Sequence, residues 1–120
     1  MVLGFDRLFF VTTVCERRKP VFRTHDAAML MMETLSRYQK DGKFLLYAFV
    51  IMPDHLHLLI VPQETISLEK AMQFIKGGFS FQYGKVLRGE TVWQRGFTHE
   101  RIKDEADLQC RRHRRSAFPA

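Results

Sequence analysis

The sequence predicts an α+β fold of the ferredoxin-like sandwich type, an antiparallel sheet with helices packed on one face. Three observations predict it. The hydrophobic patterns run strand, helix, strand, strand, helix, strand and then a terminal helix. Each of the two long helical stretches carries one apolar stripe, so each has a single face to bury. The two central strands are joined only by Pro53-Asp54, and so short a connection forces them antiparallel. At 120 residues the chain, residues 1–120, reads as one domain with a modest core.

Leu8 to Val14, LFFVTTV, is β-branched and aromatic and reads as the first strand. Glu16 to Arg23 is polar, contains Pro20 and reads as a loop. Thr24 is placed to cap a helix reaching about Gln39, with Asp26 in its first turn and Ala28, Met31, Met32 and Leu35 as its apolar face. Asp41-Gly42 ends that helix. Lys43 to Met52 reads as a buried strand, and His55 to Val61 as its antiparallel neighbour. Ser67 can cap a second helix, with Glu69 in its first turn and Leu68, Met72, Ile75 and Phe79 on its buried face. Gly77-Gly78 weakens this helix by ~1 kcal/mol per glycine relative to alanine. Thr91 to Trp93 and Phe97 to Lys103 read as short strands, and Asp104 to about Arg115 as a final helix capped by Asp104.

The composition, 46% hydrophobic and 27% charged, is that of a globular protein. No stretch approaches the ~20 apolar residues that span a bilayer. The N-terminus is a poor signal peptide, with Asp6 and Arg7 inside its apolar run. No membrane role is expected, and the default location is cytoplasmic. Cys15 and Cys110 lack metal or disulfide spacing and read as reduced thiols, the first of them buried. The net charge is +6, yet without Arg111, Arg112, Arg114 and Arg115 there remain 15 bases against 13 acids. The basicity belongs to the tail, and such a cluster suits phosphate backbones, although many basic tails are only solvated ends.

The segment Met52-Pro-Asp-His-Leu-His-Leu-Leu-Ile60 carries the chemistry. Strand alternation puts His55, His57, Leu59 and Val61 on one face and Leu56, Leu58 and Ile60 on the other. The second set is wholly apolar and should face the helices, which leaves both imidazoles together on the open face. Two neutral imidazoles at i and i+2 can bind one divalent metal, with Asp54 as a ligand or as a partner to one. The plainer reading is that the pair merely decorates a solvent-facing strand.

Val50-Ile-Met-Pro-Asp-His-Leu-His-Leu-Leu-Ile60 resembles the His-hydrophobic-His motif of single-tyrosine HUH transposases from bacterial insertion sequences, and most closely the REP-associated tyrosine transposases. Phe9-Phe-Val-Thr-Thr13, Ile75-Lys-Gly-Gly-Phe-Ser-Phe81 and Val92-Trp-Gln-Arg-Gly-Phe97 with His99 to Asp104 resemble further parts of that family, so the likeness runs from about Leu8 to Leu108. It implies Mg²⁺ or Mn²⁺ on His55 and His57 with a third polar ligand, for which His99 and Glu100 are candidates. It implies single-stranded or hairpin repeat DNA as partner, usually a homodimer, and a tyrosine on the last helix that attacks the scissile phosphate in DNA transposition.

The likeness breaks at the end of the chain. The family tyrosine falls near Arg114 and its proline at Pro119, in a stretch atypical from about residue 109, and no tyrosine follows Tyr83. This leads to the expectation of a degenerate or truncated C-terminus, and to the alternative of a catalytically inactive DNA-binding remnant. Tyr83 is the least implausible substitute nucleophile. Tyr47, in a buried-looking strand, and Tyr38, in the first helix, read as packing or surface residues. A third reading is an unrelated small α+β protein with idle histidines. Candidate phosphate contacts are Lys76, Lys85, Arg88, Arg95, Arg101, Arg111 and Arg112. Trp93, Phe79 and Phe81 are candidates for stacking on bases, with core packing the expected place of both phenylalanines. Gly77-Gly78 is a candidate for close backbone approach to DNA.

Overall fold

A computed structural model describes residues 7–87, 92–104, 106 and 107. The elements are β1 (Phe9–Val14), α1 (His25–Lys40), β2 (Phe44–Met52), β3 (His55–Pro62), α2 (Leu68–Leu87) and β4 (Thr98–Arg101), with two short 3-10 turns between β1 and α1. The sheet is antiparallel throughout in the order β2-β3-β1-β4, the ferredoxin-like arrangement the patterns predict. Strand β3 is central, as its composition indicates.

The caps form as the sequence predicts. The Thr24 hydroxyl accepts from the Ala27 N–H at 3.2 Å and the Ser67 hydroxyl from the Lys70 N–H at 3.0 Å. Asp104 accepts from the Asp107 N–H at 2.9 Å; the rest of the expected final helix lies outside the described residues. Helix α2 buries Leu68, Met72, Ile75 and Phe79 together with Ala71. These pack with Val11, Leu56, Leu58 and Ile60 of the sheet, and with Ala27, Met31 and Leu35 of α1, into the main core. Burying each leucine or isoleucine of β3 contributes about 1.5–3 kcal/mol relative to exposure.

Several expectations need correction. The buried stripe of α1 is Ala27, Met31, Thr34 and Leu35, whereas Met32 is 43% exposed. Thr34 reads as polar, but its hydroxyl donates to the Leu30 carbonyl at 2.8 Å and so enters the core satisfied. Strand β2 is not sealed on both sides. Its uniform apolar run suggests that, yet it lies at the sheet edge, with Leu45, Tyr47 and Phe49 exposed and a register shift between Leu46 and Ala48. Val92 and Trp93 form no strand: Trp93 makes one isolated bridge to Cys15, and Thr91 lies outside the described residues.

Helix α2 runs unbroken through Gly77-Gly78, and Gly78 has a packing reason. A Cβ there would stand 2.7 Å from the Tyr38 ring of α1, whereas one at Gly77 would meet nothing within 4 Å. The close approach at Gly78 is therefore to the neighbouring helix. Gly77→Ala is expected to raise stability by up to about 1 kcal/mol through helix propensity. Gly78→Ala should lower it, because the Tyr38 ring is already packed against Phe74. Thermal denaturation of the two variants checks the opposite signs, and Tyr38→Leu should restore the Gly78→Ala protein.

Candidate metal and nucleic-acid site

The pairing of β1 with β3 builds the site. His57 lies opposite Thr12 and His55 opposite Val14, while on the other flank Val50 and Met52 face the same two positions. The histidines project from the face away from the helices, with ring centroids 4.7 Å apart and planes at 83°. That face is less open than alternation alone suggests. Leu8, Leu59 and Ile102 form a second small core on it, with Phe10, Ala48 and Val61 packed around them. Ile102 continues the outward phase of β4 and is held by its N–H to the Leu8 carbonyl at 2.8 Å.

Each imidazole is oriented through Nδ1. Asp54 Oδ1 lies 2.7 Å from His55 Nδ1, and Thr12 Oγ1 lies 2.9 Å from His57 Nδ1. The Asp54 carboxylate can only accept, so a neutral His55 donates through Nδ1–H and keeps its lone pair on Nε2. The Thr12 hydroxyl can donate or accept, and His57 offers Nε2 to a metal in the tautomer whose Nδ1–H donates to that hydroxyl. Phe10 stacks on His57 at 5.5 Å with planes 14° apart, which fixes that ring's tilt. The hydrogen bond to His55 lowers the Asp54 carboxyl below its ordinary range; burial opposes this and the Arg18 guanidinium adds to it. Asp54 thus orients the His55 ring. The donor set offers one divalent cation two imidazole nitrogens and leaves its remaining positions to oxygen donors.

The third ligand does not assemble as expected. His99 lies opposite Val11, on the helix side of the sheet, and meets Phe9 edge-on at 5.9 Å. Glu100 lies opposite Phe10, on the histidine face but two strands from β3. Among the described residues no group of three His, Cys, Asp or Glu gathers to hold a metal.

Other predicted site residues fall elsewhere. Trp93 is 9% exposed, packs against Phe22 and Phe79, and donates Nε1–H to the Lys76 carbonyl at 3.0 Å. It is a core residue and not a base-stacking platform. Lys76 donates its ammonium to the carbonyls of Gln94 at 3.2 Å and Gly96 at 2.7 Å, and burial pushes its pKa below the usual lysine value. It clamps the 94–96 loop to α2 instead of standing in solvent. Phe79 is buried as expected, whereas Phe81 is 64% exposed. Arg95 and Arg101 are exposed, the latter opposite Phe9 on the helix side. The Lys85 side chain and residues Arg88, Cys110, Arg111, Arg112 and Arg114 lie outside what is described.

None of the tyrosines at 38, 47 and 83 joins the histidines. Tyr83 stacks on Phe79 at 5.3 Å in the helix layer, Tyr38 lies between the helices, and Tyr47 sits on the edge strand, exposed instead of buried. Within one chain Tyr83 thus stands apart from the histidine pair. Cys15 is buried and reduced, and desolvation raises its thiol pKa to about 11, which makes it inert at neutral pH.

Sequence reasoning missed Thr12, Phe10 and Arg18. Thr12 and Phe10 share a strand face by alternation, but only the register with β3 brings them to His57. Arg18 Nη1 reaches Asp54 Oδ2 at 3.4 Å from a backbone with φ 55°, beside Arg17 at φ 54°. Each such side-chain-bearing residue costs about 1–2 kcal/mol relative to ordinary backbone.

A family model described as "Transposase IS200 like" matches residues 8–112. The chain is similar in structure to a REP-associated tyrosine transposase bound to a REP hairpin, with TM-score 0.73 and 20% identity over 87% of this chain and 61% of that one. It is also similar to a crystal structure at 1.90 Å of a candidate transposase from Deinococcus radiodurans R1, with TM-score 0.70 and 16% identity over the whole of both chains. Among curated proteins none matches. No helix of the described residues is long and apolar enough to cross a membrane.

Proposed function

The chain belongs to the IS200-like transposase family, and from that premise we propose that it binds single-stranded or hairpin repeat DNA through a single domain, with Mg²⁺ or Mn²⁺ held by His55 and His57. The observation that carries this is the pair of imidazoles 4.7 Å apart, each oriented through Nδ1 by its own partner. A divalent ion there supplies polarisation of a phosphate oxygen, the chemistry that strand cleavage and transfer need. Asp54 fixes the tautomer of His55, Thr12 orients the His57 ring, and Phe10 holds that ring in place. The similar protein that is bound to a REP hairpin supports hairpin DNA as the ligand class. This chain spans 61% of that protein's length. A cytoplasmic location accords with this role.

A second reading has a specific observation behind it. The chain has three tyrosines, and within one chain none of them stands beside the histidine pair; the second reading is a DNA-binding protein that forms no phosphotyrosine. An end-labelled hairpin oligonucleotide with a single-stranded flank, incubated with Mn²⁺, tests both. Retardation on a native gel is expected, with no covalent shift on a denaturing gel. Absence of retardation would overturn DNA binding. A covalent shift would overturn the second reading and restore strand transfer, whereas cleavage without a shift would mean hydrolysis.

We propose further that the chain forms a homodimer, supported by the exposed Leu45, Tyr47 and Phe49 on the β2 edge. A monomer mass by light scattering would overturn that assignment.

A further inference from the structure

We infer that the turn carrying Arg17 and Arg18 is a second phosphate-binding element, seating the DNA backbone beside the phosphate that the histidine pair addresses. This rests on the DNA-binding reading above. The first support is placement. The Cys15 N–H donates to the Asp54 carbonyl at 2.9 Å and the Phe22 N–H to the Pro53 carbonyl at 3.0 Å. The turn is thereby fixed to the two-residue connection that launches His55. The Glu16 N–H donates to the Val92 carbonyl at 2.8 Å, which ties the same turn to the segment bearing the exposed Arg95.

The second support is a contiguous chain of polar contacts. The Arg18 guanidinium reaches Asp54 at 3.4 Å, and Asp54 reaches His55 at 2.7 Å. One carboxylate therefore separates an exposed cation from a metal-binding ring. A guanidinium in that position can keep part of its fork on Asp54 and offer the rest to a phosphate oxygen. Arg18 then also acts as a positioning residue for His55.

The third support is the choice of residues. Positions 17 and 18 have φ of 54° and 55°, the left-handed region that glycine adopts at no steric cost. Both side chains are exposed, so neither adds to the core in return for the strained backbone. Stability alone favours glycine at both positions. Two adjacent arginines there are accounted for by what their side chains bind. The topology adds Arg23 and Arg95 to the same end of the molecule from separate stretches of sequence, both exposed.

The experiment measures affinity for a fluorescent hairpin oligonucleotide with a single-stranded flank, in EDTA, over a range of salt, using the full 120-residue chain. The slope of log affinity against log salt counts phosphate contacts at ~0.7 per contact for single strands. Arg17→Gly/Arg18→Gly is expected to reduce that slope by ~1.4 and to weaken binding on the order of 10-fold at moderate salt. The same variant should melt above the wild type, because the left-handed strain is relieved. Arg17→Gln/Arg18→Gln, which keeps side chains at the strained positions, should give the same loss of slope without the gain in melting temperature. Lys40→Gln, at the far end of α1, should match the wild type. A wild-type slope in both double variants would overturn the inference, as would a glycine variant that melts lower than wild type. If the wild-type chain binds no DNA at all, the DNA-binding reading falls, and this one with it.

Discussion

Replacing His57 by alanine is expected to lower Mn²⁺ affinity by at least about 100-fold in calorimetric titration, with little change in thermal stability. Two imidazoles are the only nitrogen ligands the histidine face offers among the described residues, and one alone leaves the cation held mainly by water. Removing a group that merely orients a ligand costs ~10–100-fold in metal affinity, so removing the ligand itself is expected to reach or pass the upper end of that range. Asp54→Asn is the graded control. It keeps the shape of the side chain but weakens the hold on His55 Nδ1, and about a 10-fold loss is expected. Thr12→Val tests the corresponding hold on His57. The order His57→Ala, then Asp54→Asn, then wild type is specific to ligands backed by anchors. A His57→Ala protein that binds Mn²⁺ as the wild type does would return the histidines to the role of surface residues. The stability term is separable because both rings are half-buried and neither belongs to the main core.

The placement of the pair was legible in the sequence because alternation is a local rule: Leu56, Leu58 and Ile60 are all buried toward the helices, which leaves His55 and His57 on the other side. The two N-caps and the buried stripe of α2 were legible for the same reason, since a hydroxyl three residues ahead of an amide needs no long-range knowledge. What surrounds the histidines was not legible. Thr12 and Phe10 reach His57 only through the β1–β3 register. His99 and Glu100, equal candidates in the sequence, separate once β4 is paired, because His99 lies opposite Val11 on the helix side. Strand β2 misled because an edge strand and a central strand can share one apolar composition. Arg18 left no signal, since nothing in Glu-Arg-Arg-Lys announces a left-handed backbone.

Trp93→Ala is expected to cost about 3–5 kcal/mol of stability and to leave the DNA affinity of the folded fraction unchanged. A tryptophan followed by glutamine and arginine in a basic protein invites the idea of base stacking, and the structure assigns it a different task. Its ring lies 5.7 Å from Phe22 and 5.9 Å from Phe79, with the Lys76 ammonium 5.9 Å above it. Its indole N–H is satisfied by a helix carbonyl, and its backbone bridges to Cys15. Truncation empties the junction where α2, the first loop and the 92–96 segment meet. A domain of this size has roughly 5–15 kcal/mol in all, so the variant should lie near the edge of unfolding, its melting point lower by on the order of 10–20 °C. Trp93→Phe keeps most of the ring contact and gives up the hydrogen bond, for which about 1 kcal/mol is expected. Urea denaturation separates the two variants, and binding measured at a temperature where both are folded isolates the DNA term. If Trp93→Ala melted with the wild type while its DNA affinity collapsed, the ring would have to face the nucleic acid, and the packing assigned to it would be wrong.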